Sequence, residues 1–434
     1  MTILGIDIGT TTLCAAVLDA STRAVLHSET LPGAPFMPSP RGWERTQDAE
    51  AAAQAAQALA DRLCRRWRCA AVGLTGQMHG VVPVDASGRA VGPLYTWQDG
   101  RGDLDEGGGP LARRLSEELE MSLATGYGLV THVFNRRHGL HPDAAALATI
   151  GAYAGMRLTG RKAPLLHASD AASLGGYRAD AQAFDARAAA LAGGALPEST
   201  PRAAWLGKTP GGVPVAVSIG DNQASFLGAV DDPARAVLVN IGTGAQVSVR
   251  ADRFAADPAF DTRPLDETHY LLVNSPLCGG RSYALLERFL RECAALTGIA
   301  PAGPLYEAMN LLAAETDAGG LMVDTRFAGT RAEPGRRGVI AGLSEDNFTP
   351  ARLIRATLEG MADELFEGYA AMLPHLPEPP RTLVASGNAV RRNPALQAIL
   401  AERFGLPLTL SPWHEEAARG AALFALDLLG GDGA

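Results

Sequence analysis

The chain of 434 residues lacks the features that would tie it to a membrane or to nucleic acid. No stretch of about 20 apolar residues free of charge occurs, so no membrane-spanning helix is expected. Positive charge is not in excess. Against 47 Asp and Glu there are 38 Lys and Arg, a formal net charge of −9, which excludes a general basic field for nucleic acid or anionic lipid. Cysteine is scarce: Cys14, Cys64, Cys69, Cys278 and Cys293 are odd in number and irregular in spacing. Cys64 and Cys69 resemble half of a metal site, but no second pair or His cluster completes it. Reduced thiols in a cytoplasmic protein are expected instead. The opening Met1-Thr-Ile-Leu-Gly-Ile-Asp7 has no basic region leading into an apolar run, so a signal peptide is not expected.

What is present is ample core. Hydrophobic residues make up 47% of the chain and charged residues 20%, the balance of a globular protein. The length suggests two domains of about 200 residues each. The chain opens with a strand from Ile3 to Ile8, a Gly-Thr turn, and strands over Leu13–Leu18 and Ala24–Glu29. Asp48 can cap an Ala-rich helix running to about Trp67 and ending in the basic Arg65 and Arg66. Ala71–Leu74 reads as a buried strand leading into Gln77-Met78-His79-Gly80. Pro214–Ile219 reads as a strand ending at Gly220-Asp221-Asn222. Ala236–Ile241, Gly242-Thr243-Gly244 and Val247–Arg250 form a second strand–Gly-Thr–strand hairpin. Set beside the first hairpin, Ile8-Gly9-Thr10 falls on Ile241-Gly242-Thr243, and Asp7 falls on Asn240. This points to an internal duplication. The boundary is expected at Val230–Arg235, giving domains 1–230 and 231–434.

Four groups of residues carry chemistry. In the first hairpin a strand delivers Asp7, Gly9 turns the backbone, and Thr10, Thr11 and Thr12 follow with hydroxyls and N–H groups. Such a turn can wrap phosphate oxygens while the carboxylate holds Mg²⁺, although an ordinary polar turn looks the same. Two such hairpins can clamp a triphosphate from both sides. Asp221, on a glycine turn, can take a proton from an attacking hydroxyl; it could equally be a helix N-cap. Gln77, Met78 and His79, together with Tyr95-Thr-Trp-Gln-Asp99-Gly-Arg101, lie after strands. They offer the amide, imidazole, indole and carboxylate groups that grip a polyhydroxylated ligand. Ser386-Gly387-Asn388, with Asn393-Pro394 and a helix behind, lets a flat ring approach the backbone.

These residues resemble the FGGY family of carbohydrate kinases over essentially the whole chain. Asp7-Ile-Gly-Thr-Thr-Thr12 resembles the family's first phosphate motif and Asn240-Ile-Gly-Thr-Gly-Ala-Gln246 its second. Gly220-Asp-Asn-Gln-Ala224 resembles the segment with the catalytic aspartate, and Ser386-Gly-Asn388 the adenosine motif. Gly338-Val-Ile-Ala-Gly-Leu343 with Ala356-Thr-Leu-Glu359 resembles the C-terminal signature, from which Arg352 departs. Glu415-Glu-Ala-Ala-Arg-Gly420 resembles the closing helix. The segment Ile150–Gly160 lacks the lysine usual in the N-terminal signature.

The resemblance implies two ribonuclease-H-like domains of the actin and hexokinase type around a central cleft. It implies ATP and Mg²⁺ as cofactors, Asp221 as general base, and Asp7 as the metal organiser. Phosphate and nucleotide would contact Gly9, Thr10, Thr11, Thr12, Gly242, Thr243, Gly244, Ser386, Gly387 and Asn388. Gln77, Met78, His79, Asp99 and Asn222 would contact the sugar. Partners would be a small sugar and ATP, not nucleic acid or membrane, with a homodimer as a family expectation. Within the family the likeness is to the sedoheptulokinases, through Gly76-Gln-Met-His-Gly-Val81, Thr96-Trp-Gln-Asp-Gly-Arg101 and Ala124-Thr-Gly-Tyr-Gly128. Gly128 and Leu129, less bulky and less charged than the Pro-Lys of bacterial xylulokinases, are expected to leave room for a longer ketose. Other ketose or polyol kinases of the family, a non-kinase ATPase of the same fold and a sugar sensor are the rival readings.

Overall fold

The computed structural model describes residues 1–298, 301–330, 333 and 335–431. Strands β1 (Thr2–Ile8), β2 (Thr12–Asp19) and β3 (Val25–Pro32) form an antiparallel meander. β3 runs three residues beyond the expected end at Glu29. Helix α1 (Ala49–Trp67) starts where expected: the Asp48 side chain accepts the Ala51 N–H at 2.9 Å. Its buried residues Ala49, Ala52, Ala53, Ala56, Leu59, Ala60 and Leu63 recur every three or four positions and so share one face. β4 (Cys69–Gly76) then returns parallel to β1.

Further along are α2 (Ile150–Thr159), α3 (Ala168–Leu174), β5 (Trp205–Lys208), β6 (Pro214–Ala216), β7 (Ile219–Gly220) and α4 (Asp221–Ala229). The sheet order is β5-β6-β4-β1-β2-β3, with β7 also paired to β4. The expected strand Pro214–Ile219 is therefore two. Val217 leaves the ladder because its N–H bonds the carbonyl of Ala204 at 2.8 Å.

The second sheet repeats the pattern. β8 (Ala236–Ile241) and β9 (Ala245–Ala251) form an antiparallel hairpin, and β10 (Tyr270–Asn274) lies outside β9. After α5 (Gly280–Ala295) and α6 (Pro350–Met372) come β11 (Thr382–Ser386), α7 (Pro394–Phe404) and β12 (Leu408–Leu410). β11 is parallel to β8, and β12 is parallel to β11. The order β10-β9-β8-β11-β12 matches β3-β2-β1-β4-β6 strand for strand. Asp7 opposes Thr75 across the parallel pair in one sheet, and Asn240 opposes Ser386 in the other. The duplication inferred from two hairpins is thus a duplication of the sheet. The hairpins differ by one residue: Ile8 pairs with Leu13, but Ile241 pairs with Ala245.

The chain separates into two compact units. The first holds Met1–Asp231, Arg263–Tyr270 and Glu415–Ala434; the second holds Asp232–Thr262 and Leu271–His414. The expected boundary ran straight to the C-terminus, whereas the last helix, α8 (Glu416–Gly431), packs in the first unit. Alternation along β1 explains its place. Leu4, Ile6 and Ile8 face the core that α1 covers, while Ile3 faces Ala418, Ala422 and Leu423 of α8. Gly5 and Gly73 admit this close approach. A Cβ on Gly5 would lie 1.8 Å from the Ala418 carbonyl oxygen, and one on Gly73 1.8 Å from that of Ala421. Asp7 stands next on the face of Ile3 and Gly5, at the strand's end. Among the described residues no helix is long and apolar enough to cross a membrane.

Candidate functional site

Asp7 as a residue is half-buried, but its Oδ1 is sealed from solvent and has no hydrogen-bond partner. Burial pushes its carboxyl up to about 7, and the charges of Asp221 and Glu415 push the same way. A sealed carboxylate beside two others is costly when ionised, unless a cation joins it. The donor therefore fits Mg²⁺, which takes one or two carboxylates and completes its shell from phosphates and water. Beside it the Gly9 N–H closes the turn on the Thr12 carbonyl at 2.9 Å.

The three threonines of this turn are not equivalent. The Thr10 hydroxyl donates to Gln77 Oε1 at 3.2 Å and accepts the Trp97 indole N–H at 3.0 Å. Its carbonyl accepts Gln47 Nε2 at 2.8 Å, and Gln77 Nε2 donates to Gln47 Oε1 at 2.9 Å. Gln77 is buried with both amide ends engaged. It supports the Gly9–Thr12 turn, and the expected sugar contact does not follow from its placement. Thr11 is exposed; Thr12 is half-buried and accepts from the Cys14 thiol.

Asp221 is the first residue of α4, and Gly220 occupies the N-cap without a side-chain cap bond. The N-cap alternative for Asp221 is thereby set aside. Its Oδ2 accepts the Met78 N–H at 3.4 Å. Burial raises its pKa to about 6, with the Met78 N–H and the charge of Arg263 acting in the opposite direction. A carboxyl so raised can take a proton from a hydroxyl near neutrality. Asn222 is buried with Oδ1 unpartnered, and Gln223 is buried with Oε1 unpartnered while its Nε2 donates to the Pro264 carbonyl at 2.9 Å.

His79 adopts φ +71°, in the left-handed region that non-glycine residues rarely visit. Its Nδ1 lies 2.9 Å from the Ser173 carbonyl, and its ring stacks on Tyr127 with centroids 4.4 Å apart and planes 3° apart. The strained backbone and the stack hold one orientation of the imidazole at the end of β4, beside Met78. The structure thus brings Asp7, Met78 and Asp221 together, with His79 and Asn222 next to Met78 and Asp221 in the chain.

Asp99 does not join them. It is fully buried, and Oδ2 accepts the Arg45 N–H at 3.0 Å and Arg101 Nη2 at 3.1 Å. Oδ1 accepts the Arg101 N–H and Nε. All four lone-pair positions are spent, so the expected sugar contact gives way to a structural ion pair. Arg101 is itself buried over the Tyr95 ring at 4.1 Å. Exposed in the same segment is Trp97, whose indole N–H anchors to Thr10. The expected room at Gly128 and Leu129 is likewise absent. Leu129 is fully buried in a core with Leu111, Leu115 and Val130, and a Cβ on Gly128 would meet Leu174 at 2.6 Å.

In the second unit the Gly242-Thr243-Gly244 turn is open, and Cβ atoms on either glycine would meet nothing within 4 Å. Behind it stands the N-terminus of α5. The Arg281 N–H donates to the Thr243 carbonyl at 3.0 Å, and a Cβ on Gly280 would lie 2.1 Å from the Gly242 carbonyl oxygen. The N-terminus of a 16-residue helix without a side-chain cap thus abuts the turn, and a helix N-terminus favours anions. The pair Gly279-Gly280 was not anticipated from sequence, although two glycines opening a helix were a usable signal. Ser386 is buried and accepts Asn240 Nδ2 at 2.7 Å, so it links β8 to β11. Gly387, at φ +91°, passes close to Ile241, and Asn388 is exposed. Near Arg392, Tyr283 and Tyr306 stack at 5.9 Å, and Asn310 bridges the Tyr283 hydroxyl and the Arg392 carbonyl. A separate cavity of about 300 Å³, lined by Phe260, Asn274, Arg326 and Glu364 among others, contains none of these residues.

The FGGY family of carbohydrate kinases matches through its N-terminal domain over residues 2–105 and its C-terminal domain over residues 237–427. The chain is 28% identical to a sedoheptulokinase of Mus musculus, over 98% of this chain and 97% of that protein. It is 27% identical to a xylulose kinase of Streptomyces coelicolor, over 100% of this chain and 89% of that one. The crystal structure of a xylulose kinase from Rhodospirillum rubrum superposes with a TM-score of 0.84 at 24% identity, covering 100% of this chain and 91% of the other. That structural likeness bears on the fold.

Proposed function

Because the chain belongs to the FGGY family of carbohydrate kinases, we propose that it phosphorylates a terminal hydroxyl of a ketose, with sedoheptulose as the acceptor it uses best and Asp221 as general base. The observation that carries the mechanism is the setting of Asp221: a carboxyl raised to about 6, at a helix start, beside the unpartnered Asn222 Oδ1. Full-length similarity to a sedoheptulokinase supports the choice of sugar.

In this reading His79 and Asn222 orient the sugar hydroxyls. His79 is suited to this by its fixed ring and Asn222 by its open acceptor. Asp221 takes the proton of the attacking hydroxyl as the new O–P bond forms. Asp7 would hold Mg²⁺, and the backbone N–H groups of Thr10, Thr11, Thr243 and Gly244 would receive phosphate oxygens. Bound Mg-ATP supplies the phosphoryl group and the cation that spreads its charge. Positioning and charge stabilisation then supply most of the rate. Asp99 and Gln77 take supporting roles, the first through Arg101 and the second through Thr10.

The test is Asp221→Asn. Removing a general base lowers kcat by about 10²–10⁴-fold, with KM for ATP and sugar near the parent values. A variant turning over at the parental rate would remove Asp221 from the chemistry. A second acceptor, D-xylulose, is favoured by the similarity to a xylulose kinase over the whole chain, and residual activity on it is expected. A size difference of one methylene discriminates by only about 10–200-fold.

A further inference from the structure

Asp221 sits where it does because the two residues before it are gripped by side chains distant in sequence. On one side, the buried Thr75 hydroxyl donates to the Ile219 carbonyl at 2.8 Å. On the other, the Gly220 N–H donates to Ser169 Oγ at 3.0 Å. Ser169 Oγ also lies 2.8 Å from His167 Nδ1, and His167 Nε2 lies 3.2 Å from the Pro201 carbonyl oxygen. His167 and Ser169 are both fully buried.

The protons along this chain have one consistent arrangement. An amide N–H can only donate, so Ser169 Oγ accepts from Gly220. The serine proton then goes to the remaining partner, His167 Nδ1. That nitrogen is unprotonated, which puts the ring proton on Nε2, and Nε2 donates to the Pro201 carbonyl, which can only accept. Nδ1 also accepts the Ser169 N–H at 3.3 Å, the cap of α3. Burial holds His167 down at about 4, so the ring stays neutral and the arrangement is unchanged across working pH. Every polar atom of the histidine and serine side chains is used, and the chain ends on the Ile219–Gly220 peptide, one before Asp221.

We infer that Ser169 and His167 are positioning residues for Asp221: the serine fixes the Gly220 peptide, and the histidine fixes the direction of the serine hydroxyl. This rests on Asp221 being the base. Neither residue touches the reacting atoms. A misplacement of about 1 Å costs on the order of 10²-fold in a positioned reaction, so the network acts on kcat.

The experiment uses Ser169→Ala in the full chain, with Ser169→Thr as the variant that restores the hydroxyl. Sugar-dependent kcat and both KM values are measured. Hydrogen–deuterium exchange is read on peptides across Ile219–Asn222. In Ser169→Ala, kcat falls about 10–100-fold, both KM values stay within about twofold, and exchange accelerates at Ile219–Asn222 alone. Ser169→Thr recovers kcat and protection. Unchanged exchange at Ile219–Asn222, or parental kcat in Ser169→Ala, overturns the inference. Faster exchange throughout the first sheet with both KM values raised also overturns it, since that marks general loosening. If the parent itself shows no sugar-dependent turnover, the kinase mechanism fails first, and the exchange measurement alone decides whether Ser169 holds the turn.

Discussion

At the scale of single residues the account turns on carboxyls kept from water. Asp221 is raised to about 6, mainly by burial. A general base works in its ionised form, so kcat/KM falls as pH drops through about 6 and is level above it. A pH profile checks this, and an acid limb in the ordinary carboxylate range would count against the buried base. Asp7 and Asp170 are each raised to about 7, again mainly by burial. Their unfolded values lie near 3.8, so the folded chain holds more protons between the two values. The stability they contribute is fully present below about 4 and is lost as pH rises through about 7. Asp7→Asn removes one of these groups. Without Mg²⁺, the fall in melting temperature between pH 5 and pH 8 is expected to be smaller in the variant than in the parent, while turnover is lost. An unchanged fall would mean that the Asp7 carboxyl is not raised by burial. Added Mg²⁺ should raise the melting temperature of the parent at pH 8 more than that of the variant.

At the scale of elements, ends of strands and starts of helices carry the site. α5 meets the Gly242–Gly244 turn so closely that a Cβ on Gly280 would lie 2.1 Å from a backbone oxygen. Gly280→Ala must push the helix start away. The expected result is a rise in KM for ATP of about tenfold or more, corresponding to 1.4 kcal/mol, with KM for sugar little changed. Equal rises in both would deny the turn a phosphate role. α1 shows the opposite case of an element with stability and no chemistry. Asp48→Ala is expected to cost about 1 kcal/mol in denaturant melts and leave kinetics as they were. Such elements were legible in the sequence because their signals are local. The Asp48 cap and the Ala-rich face predicted α1, and the two Gly-Thr turns marked both hairpins. Asp99 was misread because its fate depends on Arg101 folding back onto it and on Arg45, 54 residues away, supplying an N–H. Ser169 was out of reach for the same reason, since its partner Gly220 lies 51 residues downstream. Leu129 looked like a site residue only while its burial was unknown.

At the scale of the whole molecule, one sheet pattern is used twice and then differentiated at matching strand ends. Where the first sheet has Asp7 opposite Thr75, the second has Asn240 opposite Ser386. A sealed, unpartnered carboxyl in one is replaced by an amide satisfied through Ser386 in the other. Under the proposed function the cation and the base belong to the first unit, and the uncharged Gly242–Gly244 turn of the second is left for phosphate. The measurement that tests this most directly is ADP release from Mg-ATP by the parent protein, with and without each of sedoheptulose, D-xylulose, D-ribulose, L-ribulose and glycerol. The account predicts slow release with ATP alone and strong acceleration by sugar. Sedoheptulose should give the highest kcat/KM and D-xylulose a lower but measurable one. A pentulose or glycerol ahead of sedoheptulose would overturn the choice of acceptor, and no acceleration by any of the five would contradict the kinase mechanism itself.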